Sequence, residues 1–316
     1  MHRAIVQAGS GYSAPAGGWA LRDDVPADDG VWASVVLACR NAEQHLAQQL
    51  AALAGQDVPF GWELVLADNG CTDRSREIAE SFRDRLPRLV IVDAAARPGP
   101  GAARNEGVRA AASDKILFCD ADDEVAPGWL AAMAGALDDH GLVAAQLDHV
   151  SLNEAWSVPA RNPQSGLLQT EPPFLEYTFT AALGVRRSVH EQVGGFDESY
   201  LGAGEDRDYC YRVQLAGTPL SYVEGAVVRY RHRSSARALY RQARAYGYAN
   251  VRLYHAYREF GLGRPPVWQA IVSWLLTPVK LLPALTRPRG MTVWMGRLGW
   301  RVGRLQASVR YRVWAL

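Results

Sequence analysis

From residue 31 the chain moves between two hydrophobic rhythms. Short, nearly unbroken apolar runs at 31–38 (VWASVVLA), 62–67 (WELVLA), 89–92 and 116–119 alternate with stretches whose apolar residues recur every three or four positions. Runs of four to eight apolar residues fit strands buried on both faces, and the wider spacing fits helices. Leu46, Leu50 and Leu53 predict a helix ending at Gly55, with Asn41 as its N-cap and Gln44 at the capping-box position. Residues 73–86, with Ile78 and Phe82 turned inward, and 102–112 predict two more helices. Four strands joined by three short helical crossovers predict a mostly parallel sheet with helices on both faces, an α/β fold with right-handed connections.

Further on, 209–215 reads as a helix and 226–228 as a strand. Residues 236–260 predict a long helix, with Leu239, Ala243, Tyr246, Val251, Tyr254 and Tyr257 interleaved with arginines. Residues 267–285 are apolar over about the 20 residues that a bilayer-spanning helix needs. Pro278, Lys280 and Pro283 interrupt that run and favour a segment lying in the interface. The stretch 291–316 mixes Trp294, Trp300 and Trp314 with Arg297, Arg301, Arg304, Arg310 and Arg312, a combination suited to a helix at headgroup level. The same helices also read as cover for the preceding domain or for a second subunit.

Composition changes this picture in one respect. The chain has 316 residues, is 48% hydrophobic and has a formal net charge of +1, the profile of a soluble globular protein. That balance hides an asymmetry, because 17 of the 34 lysines and arginines lie in 229–316 beside a single acid, Glu259. An acidic body with a basic tail suggests that the two parts meet different partners, the tail an anionic surface. Cys39, Cys71, Cys119 and Cys210 show no C-x-x-C spacing, which argues for free thiols in a reducing compartment and against a zinc or redox motif. Residues 1–30, rich in Ala, Gly, Pro and Asp, contain no continuous apolar stretch and predict a flexible extension without a signal peptide.

The candidate chemistry sits where strands end. The fourth apolar run closes on Asp120-Ala121-Asp122-Asp123. Clustered carboxylates are costly unless solvated, paired or bound to a cation, and the carboxyl ends of strands are where open α/β sheets bind ligands. In an extended chain Asp120 and Asp122 would share one side, able to serve one divalent ion and one ribose; an acidic surface turn is the plain alternative. The second run ends in Asp68-Asn69-Gly70-Cys71-Thr72-Asp73, where Asp68 could accept a ring N–H of uracil or guanine, or merely cap a turn. Arg97-Pro98-Gly99-Pro100-Gly101-Ala102-Ala103-Arg104-Asn105 brings two guanidinium groups, good phosphate partners, to the same edge. Its G-x-G follows the third strand and lacks the third glycine, so a dinucleotide fingerprint is a weak reading.

Taken in order, Ala38-Cys39-Arg40-Asn41-Ala42-Glu43, Asp68 to Asp73, Ala103-Arg104-Asn105 and Asp120-Ala121-Asp122-Asp123 resemble the donor half of a family 2 glycosyltransferase. Arg186-Arg187, Gly194-Gly195-Phe196-Asp197-Glu198 and Gly204-Glu205-Asp206-Arg207-Asp208-Tyr209 before Arg212 are similar to its acceptor half. The resemblance spans about 31–233. It implies a GT-A fold, a three-layer αβα domain over 31–235 with a donor half (31–123) and an acceptor half (124–235), followed by a helical extension at 236–316. It implies an inverting, metal-dependent transfer from a nucleoside-diphosphate sugar. The metal-binding carboxylate of the DXD motif maps to Asp122, with a histidine such as His232 completing the shell. Asp120 and Asp68 map to the nucleoside, Arg97 or Arg104 to the donor, with Ala38, Arg40 and Glu43 from the first loop beside it. The general base maps to Asp206, with Glu205, Gly195 and Phe196 on the acceptor side. The chain departs from the usual pattern at Ala38-Cys39, at Arg40-Asn41 and at Asp68-Asn69, which bears on base and ribose contacts more than on the chemistry.

These readings predict an enzyme of the cytoplasmic membrane face. Its donor would be UDP- or GDP-linked, its cofactor Mn²⁺ or Mg²⁺, its acceptor a lipid-linked or cell-envelope glycan, with a membrane surface and no nucleic acid as partner. A sugar nucleotidyltransferase is the alternative enzyme class, but Cys39–Glu43 lacks the glycine-rich phosphate loop it would carry after the first strand. A non-catalytic nucleotide-sugar or nucleic-acid binder using the basic tail is the other.

Overall fold

The computed structural model describes residues 30–157, 164–170, 173–264, 267–287 and 289–314. The expected N-terminal extension therefore lies outside the described residues except for Gly30. Strands β1 (Val31–Cys39), β2 (Gly61–Asp68), β3 (Leu89–Asp93) and β4 (Lys115–Asp120) alternate with helices α1 (Leu46–Ala54), α2 (Ser75–Glu80) and α3 (Pro100–Ala110). All three pairings among these strands are parallel, as their two-sided hydrophobicity requires. Beyond them come β5 (Glu124–Val125), α4 (Trp129–Ala136), β6 (Leu142–Asp148), β7 (Gln164–Ser165), β8 (Leu183–Arg186), α5 (Arg187–Gln192), α6 (Glu205–Leu215) and β9 (Leu220–Arg229). The sheet runs β3-β2-β1-β4-β8-β6-β9-β5, with β7 paired to β6. The second half is mixed: β8 enters antiparallel to β4 and β6, while β6 and β9 pair in parallel.

The sheet separates two cores, giving three layers. On one face Val35 and Leu37 of β1 pack with Leu46, Leu50 and Leu53 of α1 and Trp129 and Met133 of α4. On the other, Val36 and Phe118 meet Val108 of α3 and Phe196, Tyr209 and Val213 around α6.

Several local expectations change. Asn41 is not an N-cap: it has φ +53° and α1 starts five residues after it, behind His45. The short polar side chain tolerates that left-handed backbone and ties two loops, its Oδ1 accepting from the Thr72 N–H at 2.8 Å. The helix expected over 73–86 is only Ser75–Glu80, followed by a 3₁₀ turn at Arg83–Arg85. The strand before the acidic triplet ends at Asp120, so Asp122 stands in a turn and not on an extended chain.

The C-terminal region is helical: α7 (Ala236–Tyr257), α8 (Val267–Val279), α9 (Leu281–Thr286) and α10 (Gly290–Tyr311). Helices α7 and α10 approach so closely that a Cβ at Gly247 would stand 2.1 Å from the Trp300 carbonyl oxygen, and one at Gly303 2.0 Å from that of Arg244. Only glycine permits that approach. Tyr257 anchors the other end of α7, donating to Asp208 Oδ1 at 2.7 Å; the same carboxylate takes a 2.7 Å bond from Arg212 Nε, with Asp208 and Arg212 fully buried on α6. A broken partner here would leave a buried charge unpaired.

Candidate active site

The carboxyl ends of β1 and β4 open on a cleft of about 660 Å³ lined by Ala38, Arg40, Arg104, Asp120, Asp122 and the segment Arg231–Ser235. An adjoining cleft of about 440 Å³ adds Glu205 and Tyr246 and shares Arg104, Asp120, Asp122 and Arg233 with the first. The sequence-predicted Ala38, Arg40, Arg104, Asp120, Asp122, Glu205 and His232 thus converge on one continuous opening.

Arg104 is the central strut. Its almost fully buried guanidinium donates to Asp120 Oδ1 at 2.8 Å and to Glu205 Oε1 at 3.0 Å, bridging donor and acceptor halves. Arg chemistry suits this role, because a planar fork serves two carboxylates at once. Asp122 faces a cation already: Arg233 Nη1 lies 2.5 Å from its Oδ2. Arg231 fastens the same turn, its N–H donating to Asp123 Oδ1 at 2.7 Å and its Nε to the Asp122 carbonyl at 2.8 Å. Asp123 itself is buried beneath the turn, and burial, with Asp120 and Asp122 beside it, pushes its carboxyl well above the carboxylate range.

Other expected residues stand further back. Asp68 is buried and takes the Cys71 N–H on Oδ1 at 2.8 Å, with Arg76 3.5 Å from its other oxygen, and does not line the cleft. Glu43 pairs with Arg74. Arg97 reaches out to Glu198 at 2.5 Å, a strut between loops with no place in the cleft wall. Phe196 belongs to the core, 0% exposed and stacked on Tyr209 with ring centroids 4.3 Å apart. Gly194 and Gly195, at φ +81° and +73°, turn the chain so that Asn105 can bracket the Phe196 peptide on both sides.

His232 lines the cleft, but its Nε2 faces His149 Nδ1 at 3.0 Å, not Asp122. Burial lowers both imidazoles, His232 to about 4 with His149 adding to it, so the pair is neutral at pH 7. Among the described residues no three His, Cys, Asp or Glu side chains gather as a metal cage. The donor set nevertheless fits Mg²⁺ or Mn²⁺ held by one carboxylate, here Asp122, with phosphate oxygens and water supplying the rest.

Asp206 lies in the first turn of α6, whose N-cap is Gly204 at φ +93°. Its half-buried carboxyl is pushed up to about 7, by burial first and by the Glu205 charge second. Sequence reasoning missed Arg231, Arg233, Tyr246 and the partnership of Cys39 with Cys71, whose sulfurs stand 3.7 Å apart as free thiols. The run Arg229-Tyr230-Arg231-His232-Arg233 was visible in the chain; the acids it pairs with lie more than a hundred residues earlier.

A mixed α/β sheet with carboxylates at the end of β4 and at the start of the helix α6 is the frame that the family models recognise. Residues 34–194 match the model of glycosyl transferase family 2, and 174–301 that of glycosyl transferase family group 2; the chain belongs to family 2 of the glycosyltransferases. It is 31% identical over 215 residues to the pre-mycofactocin glycosyltransferase of Mycobacterium tuberculosis, covering 65% of this chain and 43% of that protein, and so spans less than half of that relative's length. The structure is similar to TarS 1-349 of Staphylococcus aureus in complex with UDP-GlcNAc (TM-score 0.53, 18% identity, 89% of this chain and 92% of that one). It is also similar to the mannosyltransferase PcManGT of Pyrobaculum calidifontis in complex with GDP-Man and Mn²⁺ (TM-score 0.60, 15% identity, 97% of each chain). These likenesses carry the fold, which is GT-A with a helical C-terminal region.

Proposed function

We propose that this chain transfers a sugar, with inversion, from a nucleoside-diphosphate donor to a hydroxyl acceptor. The observation that carries the reading is the Asp120–Arg104–Glu205 bridge, which holds the donor carboxylates and the helix bearing Asp206 in one frame. Ala38, Arg40 and Asp120 would border the nucleoside, and Asp122 would hold a divalent ion. That ion, when bound, supplies Lewis-acid neutralisation of the charge growing on the leaving diphosphate. Arg231 and Arg233 fix the turn that presents Asp122. The Asp206 carboxylate takes the proton of the acceptor hydroxyl; the acceptor oxygen bonds the anomeric carbon from the face opposite the diphosphate, and the breaking C–O bond leaves its electron pair on the nucleoside diphosphate. A base with a pKa near the working pH suits this step. The UDP and GDP donors of the structural neighbours support a UDP- or GDP-sugar here.

The acceptor side of the proposal is a lipid-linked or envelope glycan at a membrane surface. Among the described residues no helix is long and apolar enough to cross a membrane. Along α8 and α9, however, Trp268, Ile271, Leu275, Val279, Leu282 and Leu285 are each more than half exposed, in a region that carries 17 basic residues. Lys280 lies between the two helices and Arg264, Arg287 and Arg289 flank them in sequence, and an apolar face flanked by basic residues suits the headgroup boundary. Calorimetry with UDP, GDP, CMP and dTDP, with and without Mn²⁺, tests the core of the reading. One nucleotide should bind in a metal-dependent manner, and Asp122→Ala should abolish that dependence; a folded protein that binds none of the four refutes it.

A further inference from the structure

Asp206 does not line either of the clefts that hold Asp120 and Asp122. Its carboxylate borders a pocket of about 130 Å³, walled by Tyr177, Phe179, Tyr246, Leu253 and Trp300. Tyr246 is the partition, since it also lines the cleft with Asp120, Asp122 and Glu205. We infer that this pocket is the acceptor subsite, that it takes one pyranose ring, and that Trp300 of the C-terminal helix provides a stacking wall. The inference rests on the transferase reading and names the acceptor class that reading leaves open.

Size and chemistry lead to the same ligand. An enclosed apolar cavity of about 150 Å³ holds a single benzene ring, so a pocket of about 130 Å³ is matched in size to one six-membered ring. Its walls are four half-buried aromatic rings, and the group at its edge is a half-buried carboxylate. A ring with a C–H face and a rim of hydroxyls satisfies both, the face against the aromatics and one hydroxyl on Asp206. An alkyl chain in the same place would leave the Asp206 carboxylate desolvated with only the Arg207 backbone N–H on its Oδ1. Arg207 also lines the pocket, its guanidinium laid on the Tyr177 ring, 4.8 Å from the centroid, and reaching Tyr211.

The position of Trp300 is set by backbone contact. Gly247 of α7 is pressed against the Trp300 carbonyl and Gly303, one turn on, against that of Arg244. The indole is therefore placed by the same glycine contacts that pair the helices, while Tyr246 and Ala249 of α7 provide the adjacent wall. The C-terminal helix pair thus completes the acceptor site.

The test uses the full chain and two probes, methyl hexopyranosides and p-cresol, with nucleotide binding measured alongside. Wild type should bind a methyl hexopyranoside in the millimolar range. Trp300→Ala should raise that Kd about tenfold (about 1.4 kcal/mol), Trp300→Phe should restore most of it, and Phe179→Ala, outside the helix pair, should weaken it similarly. Nucleotide affinity should not change in any variant, which also reports folding. Equal glycoside affinity in wild type and Trp300→Ala, or binding of p-cresol without any glycoside, overturns the inference. Glycoside binding sensitive to Trp300 in a protein that binds no nucleotide supports the pocket and sinks the transferase reading instead.

Discussion

At the residue scale the molecule turns on Asp206 and its neighbours. Glu205 and Asp206 are adjacent in sequence but are handled differently: Glu205 is buried and held by Arg104, while Asp206 keeps a half-buried carboxyl that burial and the Glu205 charge raise to about 7. Asp206→Asn is expected to lower kcat by about 10²–10⁴-fold with donor Kd unchanged in calorimetry, whereas a loss of donor binding would make Asp206 structural. The pH dependence has a definite sign. A base must be deprotonated, so kcat/KM should rise as pH passes about 7 and flatten above it. Stability runs the other way, because a carboxyl whose folded pKa is raised contributes stability below its unfolded value and loses it as pH climbs through the folded one. Asp206→Asn should therefore gain Tm relative to wild type at pH 8 and not at pH 3, below the unfolded value, which calorimetric unfolding at the two pH values would show.

At the scale of elements, the tail is held by close backbone packing and one buried polar triad. The α7–α10 contact is built on Gly247, Gly299 and Gly303 against facing carbonyls. Gly303→Leu should force the helices apart at a cost of roughly 1–3 kcal/mol from overpacking, read as a lower unfolding midpoint, and should weaken methyl hexopyranoside binding through Trp300 while sparing nucleotide. A variant with wild-type stability would show that the helices separate without cost. Much of this level was legible beforehand. The four parallel strands follow from apolar runs with turn residues between them, and each observed strand lies within about two residues of its expected place. The antiparallel entry of β8 was not legible, because Leu183–Arg186 is four residues long and its partners, β4 and β6, are chosen by the space between them. Asn41 misled for a related reason: a capping residue and a left-handed loop residue look alike in sequence, and only the Thr72 contact distinguishes them.

At the scale of the whole molecule, charge and apolar surface are segregated. The exposed row on α8 and α9 has no partner to cover it among the described residues, and the basic residues that flank it in sequence would suit an anionic bilayer. The protein should sediment with vesicles containing anionic phosphatidylglycerol and less with neutral ones. The double variant Ile271→Asp, Leu275→Asp should reduce that fraction at least several-fold without altering nucleotide affinity. Undiminished sedimentation would place the membrane contact elsewhere.

The sequence by itself determined the sheet's donor half and the family, and it showed carboxylates clustered where strands end, because periodicity and short polar strand ends are local properties of a chain. It also determined that the tail would be basic and amphipathic. Only the tertiary structure decided what those groups face. It put Arg104 between Asp120 and Glu205, laid Arg233 on Asp122, turned His232 toward His149, and left Asp68 capping a turn. It also set Asp206 in a pocket beside the donor cleft, with Tyr246 lining both and a tryptophan 94 positions after Asp206 in the pocket's wall. Such pairings depend on which distant segments share a strand end, and a one-dimensional pattern carries no term for contacts formed across the sheet.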